Sequence, residues 1–346
     1  MAGKRIPDLD FLRGLAILGV LFRHSAWDHN LARAGWAGVD LFFVLSGFLV
    51  SGLLFSEFKK YGRVRIGRFL IRRGFKIYPT FYVFLITAFL FYAWINGHPF
   101  PLKDILAEVL FLQNYLQGCF MHTWSLAIEE HFYLLLSLFV FLMLRAKWLD
   151  NRRLITGLLV ASILLVTLLR MHYFFVHRHV PYLEIYYTHL RMDGLLLGVL
   201  LSYLFHFTES FHAFTHKYKP VLLIAGFALI SPLFFIRAGS MFFNTLGFNI
   251  IHLGFAVFTA YAAKGDLTAA IGKFRPAYRL IRMISSIGIY SYSIYVWHLL
   301  LSDFIEKVLN LKTGGVLYLA VSIVAGILLS KLIEQFFLRI REKTFA

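Results

Sequence analysis

Charge is scarce in this chain of 346 residues, and acid is the scarcer sign: Asp and Glu number 18 against 35 Lys and Arg, and charged residues make up only 15%. An ordinary soluble domain carries about 25% charged residues, so a water-exposed globule of the usual kind is excluded. Cysteine is all but absent. Cys119 stands alone, which excludes an intrachain disulfide and a thiolate metal site. No internal repeat is visible, and almost no polar sequence remains between the apolar runs to fold as a separate catalytic domain. The histidine groups His172, His177, His179 and His206, His212, His216 follow no strong metal-ligand spacing. They read as solvated loop positions, and no metal is expected.

What is present is grease, 59% of the residues. Ten apolar runs near twenty residues long recur, approximately at 9–25, 36–55, 75–96, 122–144, 154–175, 187–205, 220–236, 242–262, 284–304 and 316–337. Each is long enough for a hydrocarbon core about 30 Å thick. The expected fold is all-α, a polytopic membrane bundle of about ten transmembrane helices. Residues 1–346 form a single transmembrane domain in this reading, with no fused extracytoplasmic domain. The first run is read as a retained helix, because Arg13 interrupts it and no small-x-small site follows it.

A formal charge of +17 suggests nucleic acid in a soluble protein. The distribution gives another answer. Lys59, Lys60, Arg63, Arg65, Arg68, Arg72, Arg73 and Lys76 follow the second run, and Arg145, Lys147, Arg152 and Arg153 follow the fourth. Loops of the opposite set hold only Arg33, Lys103, Arg178, Arg237, Lys307 and Lys312. Lys and Arg mark the cytoplasmic side, so both termini are expected there, with anionic membrane lipid as the basic surface's partner. No nucleic acid is expected.

Orientation assigns a depth to each buried polar residue. A charged side chain at membrane depth costs roughly 2.5–3.5 kcal/mol on insertion scales. Such residues therefore face a protein interior or a water-filled path. Arg13 falls near the inner face. His24, eleven residues on, stands about 16 Å higher, level with Asp40 at the start of the second run. Ser125 and Glu129 are four apart on one face of the fourth helix, also in the outer half. Arg191, Asp193 and His298 join the same level. A His24–Asp40 pair suits a general base near neutral pH, although a lone membrane histidine is as readily a packing residue. Glu129 or Asp193 with Arg191 reads equally as a structural ion pair. At the inner face, Arg13 and the basic run from Arg68 to Lys76 offer an anion site or simply a topology signal.

These residues also resemble a known family. Arg13 and His24 match the Arg-x10-His motif of the acyltransferase 3 family of integral-membrane proteins. The segment from Gly38 to Phe48 is similar to its second-helix signature, and Arg72, Arg73, Lys76 and Pro79 resemble its Arg-Arg-x-x-Arg-Ile-x-Pro element. Trp124, Ser125 and Glu129 fit its Trp-Ser-Leu-x-x-Glu motif, and Arg191 to Asp193 and Tyr290 to His298 resemble later segments. Lys76 stands where the family usually has Arg, and Glu334 lacks its customary proline, so Glu334 receives no role.

The resemblance implies O-acyl transfer. The donor is acetyl-CoA or another acyl-CoA, and the acceptor is a hydroxyl on an envelope glycan, a lipid-linked sugar or a small molecule. A bacterial inner (cytoplasmic) membrane is the implied location. Arg72, Arg73 and Lys76 are then expected to bind CoA phosphates, with Arg13 lining the approach. His24, oriented by Asp40, deprotonates the hydroxyl, with Glu129 as a further catalytic carboxylate. Trp124, Ser125, Arg191, Asp193 and His298 shape the acceptor site. Direct transfer and an acyl-histidine intermediate both stay open, as does hand-over to a separate extracytoplasmic partner. A proton-coupled transporter or flippase using the same buried cluster is the competing reading, and a non-catalytic scaffold a third.

Overall fold

The computed structural model describes residues 5–25, 30–177, 185–265, 275–311 and 315–345. Arg178, His179 and Lys312 lie outside them. The described residues are overwhelmingly helical and include no strand. The principal helices are α1 (Pro7–Arg23), α2 (Ala37–Tyr61), α3 (Ile66–Asn96), α4 (Trp124–Arg145), α5 (Arg152–His177), α6 (Asp193–Phe207), α7 (Lys219–Ile230), α8 (Phe248–Lys264), α9 (Arg275–Ile289), α10 (Ser291–Lys307), α11 (Gly315–Leu329) and α12 (Gln335–Thr344). The end of the bundle holding the start of α1 and the α2–α3 loop is called inner here, the opposite end outer.

Among the described residues, six helical stretches are long and apolar enough to cross a membrane, or up to eight if each of two bent pairs counts as one span. The ten expected runs thus do not all become uninterrupted spans. The run at 187–205 is helical as α6 only from Asp193, and just past its end α6 meets Glu209–Lys217 at 103°. The run at 220–236 breaks at Ser231, ahead of Pro232, whose ring cannot continue a helix without losing a backbone bond. The run at 284–304 divides at Tyr290, where α9 and α10 meet at 74°. Arg275, Arg279 and Arg282 are exposed on α9, which explains why its polar face stays out of the apolar interior.

Lipid tails are as apolar as leucine, so helices in a membrane associate through close packing and polar contacts. Two pairs here rely on glycine. A Cβ on Gly47 of α2 would overlap the Leu195 carbonyl oxygen of α6, and one on Gly198 would overlap that of Val44. In the same way Gly14 of α1 faces the Ile284 carbonyl and Gly288 of α9 faces that of Asp10. Three apolar clusters surround these seams, and the α2 residues Val39 and Phe42 each pack against two of them. α2 is therefore the central post, and the polar residues of interest project from it and its neighbours.

Candidate active site

Two cavities lie one below the other inside the bundle. The outer one measures about 560 Å³, and its walls include His24, Trp36, Asp40, His122, Trp124, Tyr186, Arg191 and Phe248. The inner one is smaller, about 130 Å³, and its walls include Arg13, Ser46, Arg73, Lys76, Ser125, Glu129, Glu130 and Tyr292. Val39 and Tyr295 line both. Along the bundle, Arg13 lines the inner cavity, and His24 and Asp40 line the outer one.

His24 sits just past the last residue of α1, exposed to the outer cavity. Its ring lies 5.4 Å from that of His298, which in turn lies 5.2 Å from that of His122. Both buried neighbours are tied to backbone carbonyls: His298 Nδ1 to Tyr295 at 2.6 Å and His122 Nε2 to Val296 at 3.1 Å. A carbonyl only accepts, so each of those nitrogens carries the proton. His298 Nε2 and His122 Nδ1 are left without protein partners.

Asp40 does not hold His24, which corrects the expected couple. Its Oδ1 accepts from Arg191 Nη2 at 2.7 Å and from His252 Nε2 at 2.8 Å. The cause is azimuth. Asp40 is wholly buried toward α6 and α8, whereas His24 faces open space. Asp193 is likewise paired with Arg170, at 2.8 Å, and not with Arg191. His252 Nδ1 lies 3.6 Å from Asp193, so the imidazole bridges two carboxylates. Arg170 also donates to Asn249 at 2.9 Å and to the Leu190 carbonyl at 2.9 Å. The Phe248 ring carries both guanidinium groups, Arg191 at 4.1 Å and Arg170 at 5.0 Å. Trp124 stands 5.2 Å from Arg191 on the cavity wall.

The inner cavity departs from a simple positive pocket. Arg73 donates to the Tyr133 hydroxyl, which donates to Glu129, and the Arg73 guanidinium lies 4.3 Å over that tyrosine ring. Ser46 also donates to Glu129. Lys76 pairs with Glu334, to which no role had been given, and Ser293 and Ser330 donate to the same carboxylate. Glu129 was expected beside His24. It lies in the inner cavity instead, one turn or about 6 Å below Ser125. Arg72 does not line the cavity. It points to the inner surface, where it and Arg68 both donate to the Phe345 carbonyl, at 3.2 and 3.1 Å. Ser125 is bonded to Tyr295 at 2.7 Å and so belongs to the wall between the two cavities.

Arg170, His252, Tyr133 and Tyr295 were not singled out from the sequence. For Arg170 and His252 a signal existed, since each is an ionisable residue inside an apolar run. Tyr295 lay inside the Tyr290 to His298 segment, whereas Tyr133 carried no signal. Among the described residues, no cluster of three or more His, Cys, Asp or Glu is arranged to hold a metal ion.

The chain matches the acyltransferase domain family over residues 6–334. Among curated proteins it is similar to the peptidoglycan O-acetyltransferase OatA of Listeria monocytogenes, 27% identical over 96% of this chain and 55% of that protein. It is also similar to the O-acetyltransferase OatA of Staphylococcus aureus, 29% identical over 85% of this chain and 50% of that protein. The chain thus spans about half the length of the curated relatives it matches. No solved structure matches it. A membrane-type helical bundle, the Arg13–His24 spacing carried between stacked cavities, and a match over nearly the whole length lead to one conclusion: the chain belongs to the acyltransferase 3 family.

Proposed function

We propose that the chain is an integral-membrane O-acyltransferase that moves an acyl group, acetyl foremost, from acyl-CoA at the cytoplasmic face to a hydroxyl of an envelope glycan on the other side. The reading takes the bundle as crossing a bacterial inner membrane about ten times with both termini in the cytoplasm. The observation that carries it is the stacking of the two cavities. An imidazole opens on the outer one, cations and carboxylates line the inner one, and both share Val39 and Tyr295.

Arg68 and Arg72 converge on one neutral carbonyl at the inner surface. A phosphate is a stronger acceptor for a guanidinium than a peptide oxygen, so CoA phosphates exchange favourably for Phe345 there. The pantetheine arm then threads the inner cavity past Arg13, Arg73 and Lys76. At the top, His24 takes the proton from the acceptor hydroxyl as its oxygen attacks the thioester carbon. A C–O ester bond forms, the C–S bond breaks, and CoA leaves as its thiolate. Arg191 faces the developing oxyanion, and Asp40 acts on it as a positioning residue through their hydrogen bond. Trp124, Asp193 and His298 shape the acceptor site, Asp193 through His252 and Arg170. Glycans, lipid-linked sugars and small hydroxyl compounds all suit this chemistry, and a separate extracytoplasmic acyl-transfer partner remains compatible with it.

Mass spectrometry of the envelope glycans from cells with and without the gene tests the assignment. One O-acetyl group is expected to vanish with the gene and to return with a plasmid-borne copy. Identical glycan masses in both strains, with CoA-independent solute uptake instead, would replace the enzyme by a transporter.

A further inference from the structure

Tyr295 is fixed more firmly than a lining residue needs to be. Its hydroxyl lies 2.6 Å from the His122 carbonyl and 2.7 Å from Ser125 Oγ. The carbonyl only accepts, so the tyrosine donates to it and Ser125 must donate to the tyrosine. Both ends of that chain are buried. The ring is therefore pinned between a residue of the outer cavity and a residue of the inner one. Val39 of α2 is the other residue that lines both cavities, and it is only half-buried.

We infer that Val39 and Tyr295 form a sieve that selects the transferred acyl group by width rather than by length. The inference rests on the proposed passage of an acyl-CoA arm from the inner to the outer cavity. In that passage the acyl group leads, and it must clear the gap before its thioester reaches His24. A linear chain is no wider than the cysteamine and β-alanine part of the arm that directly follows it, so length alone meets no added obstacle at the wall. A branch beside the carbonyl does, because a pinned tyrosine and a β-branched valine leave neither side free to give way.

Butyryl-CoA and isobutyryl-CoA separate the two properties, being isomers of equal composition. The test uses purified protein in proteoliposomes with soluble peptidoglycan fragments as acceptor, each donor normalised to acetyl transfer by the same variant. Wild-type protein is expected to favour butyryl over isobutyryl by about tenfold, the scale on which one methylene is discriminated in an apolar pocket. Val39→Ala should bring the ratio toward one, and Val39→Leu should raise it. Tyr295→Phe keeps the ring but removes both hydroxyl bonds, and should also lower the ratio. Equal use of the isomers by wild-type protein would overturn the sieve, as would a ratio unmoved by either Val39 change. Failure of the wild type to transfer acetyl from acetyl-CoA is a separate result. It overturns O-acetyl transfer to peptidoglycan, the acceptor the test supplies, and the sieve argued on that transfer falls with it.

Discussion

Replacing His24 by alanine is expected to lower acyl transfer by about 10²–10⁴-fold, the usual contribution of a positioned general base, while the protein accumulates and extracts as wild type. The structure separates those outcomes. His24 is exposed to the outer cavity beyond the end of α1, and among the described residues its ring lies beside that of His298. Its side chain belongs to none of the apolar clusters, so its removal opens no void in them. CoA affinity should also stand, because the residues assigned to the donor lie in the inner cavity and at the inner surface. Steady-state kinetics check this: kcat falls and the KM for acetyl-CoA holds. Normal acceptor acylation by well-expressed His24→Ala protein removes His24 from the mechanism.

The second large effect is on stability. Arg170 and Asp193 pair at 2.8 Å with both side chains 0% exposed. Breaking such a pair from one side strands a charge and costs about 3–5 kcal/mol. Arg170→Met is therefore expected to melt well below wild type in detergent. Asp193 then keeps His252, at 3.6 Å, and the more distant Arg191 guanidinium as compensating neighbours. Arg170→Met combined with Asp193→Leu should recover most of the loss, since a well-packed apolar replacement of a buried pair is often neutral. A single variant that melts with the wild type would show that the network is not structural.

Order along the bundle was legible in the sequence, and azimuth was not. Rise per residue and the asymmetry of Lys and Arg are properties of one helix and its own loops, so Arg13, His24 and Asp40 could be given levels from chain order alone. The level of Glu129 was misjudged by one turn, enough to move it from one cavity to the other. Partners depend on which helices become neighbours. Asp40 meets residues 151 and 212 positions away, and nothing in local spacing encodes that. Arg170 was passed over because the surrounding run reads as uniform grease, although a buried guanidinium there needed a carboxylate somewhere. Lys76 and Glu334, 258 positions apart, escaped for the same reason. Breaks in the apolar runs were partly readable: Pro232 announces one, whereas the 74° bend at Tyr290 has no proline to mark it.

The central claim is vectorial transfer, donor on one side and product on the other. Sealed proteoliposomes of defined orientation test it most directly. Acetyl-CoA is supplied only at the inner face and soluble peptidoglycan fragments only at the outer face. O-acetylated fragments should accumulate outside, free CoA should appear inside, and no acetyl-CoA should cross. Acetylation only when donor and acceptor share one compartment would contradict the account.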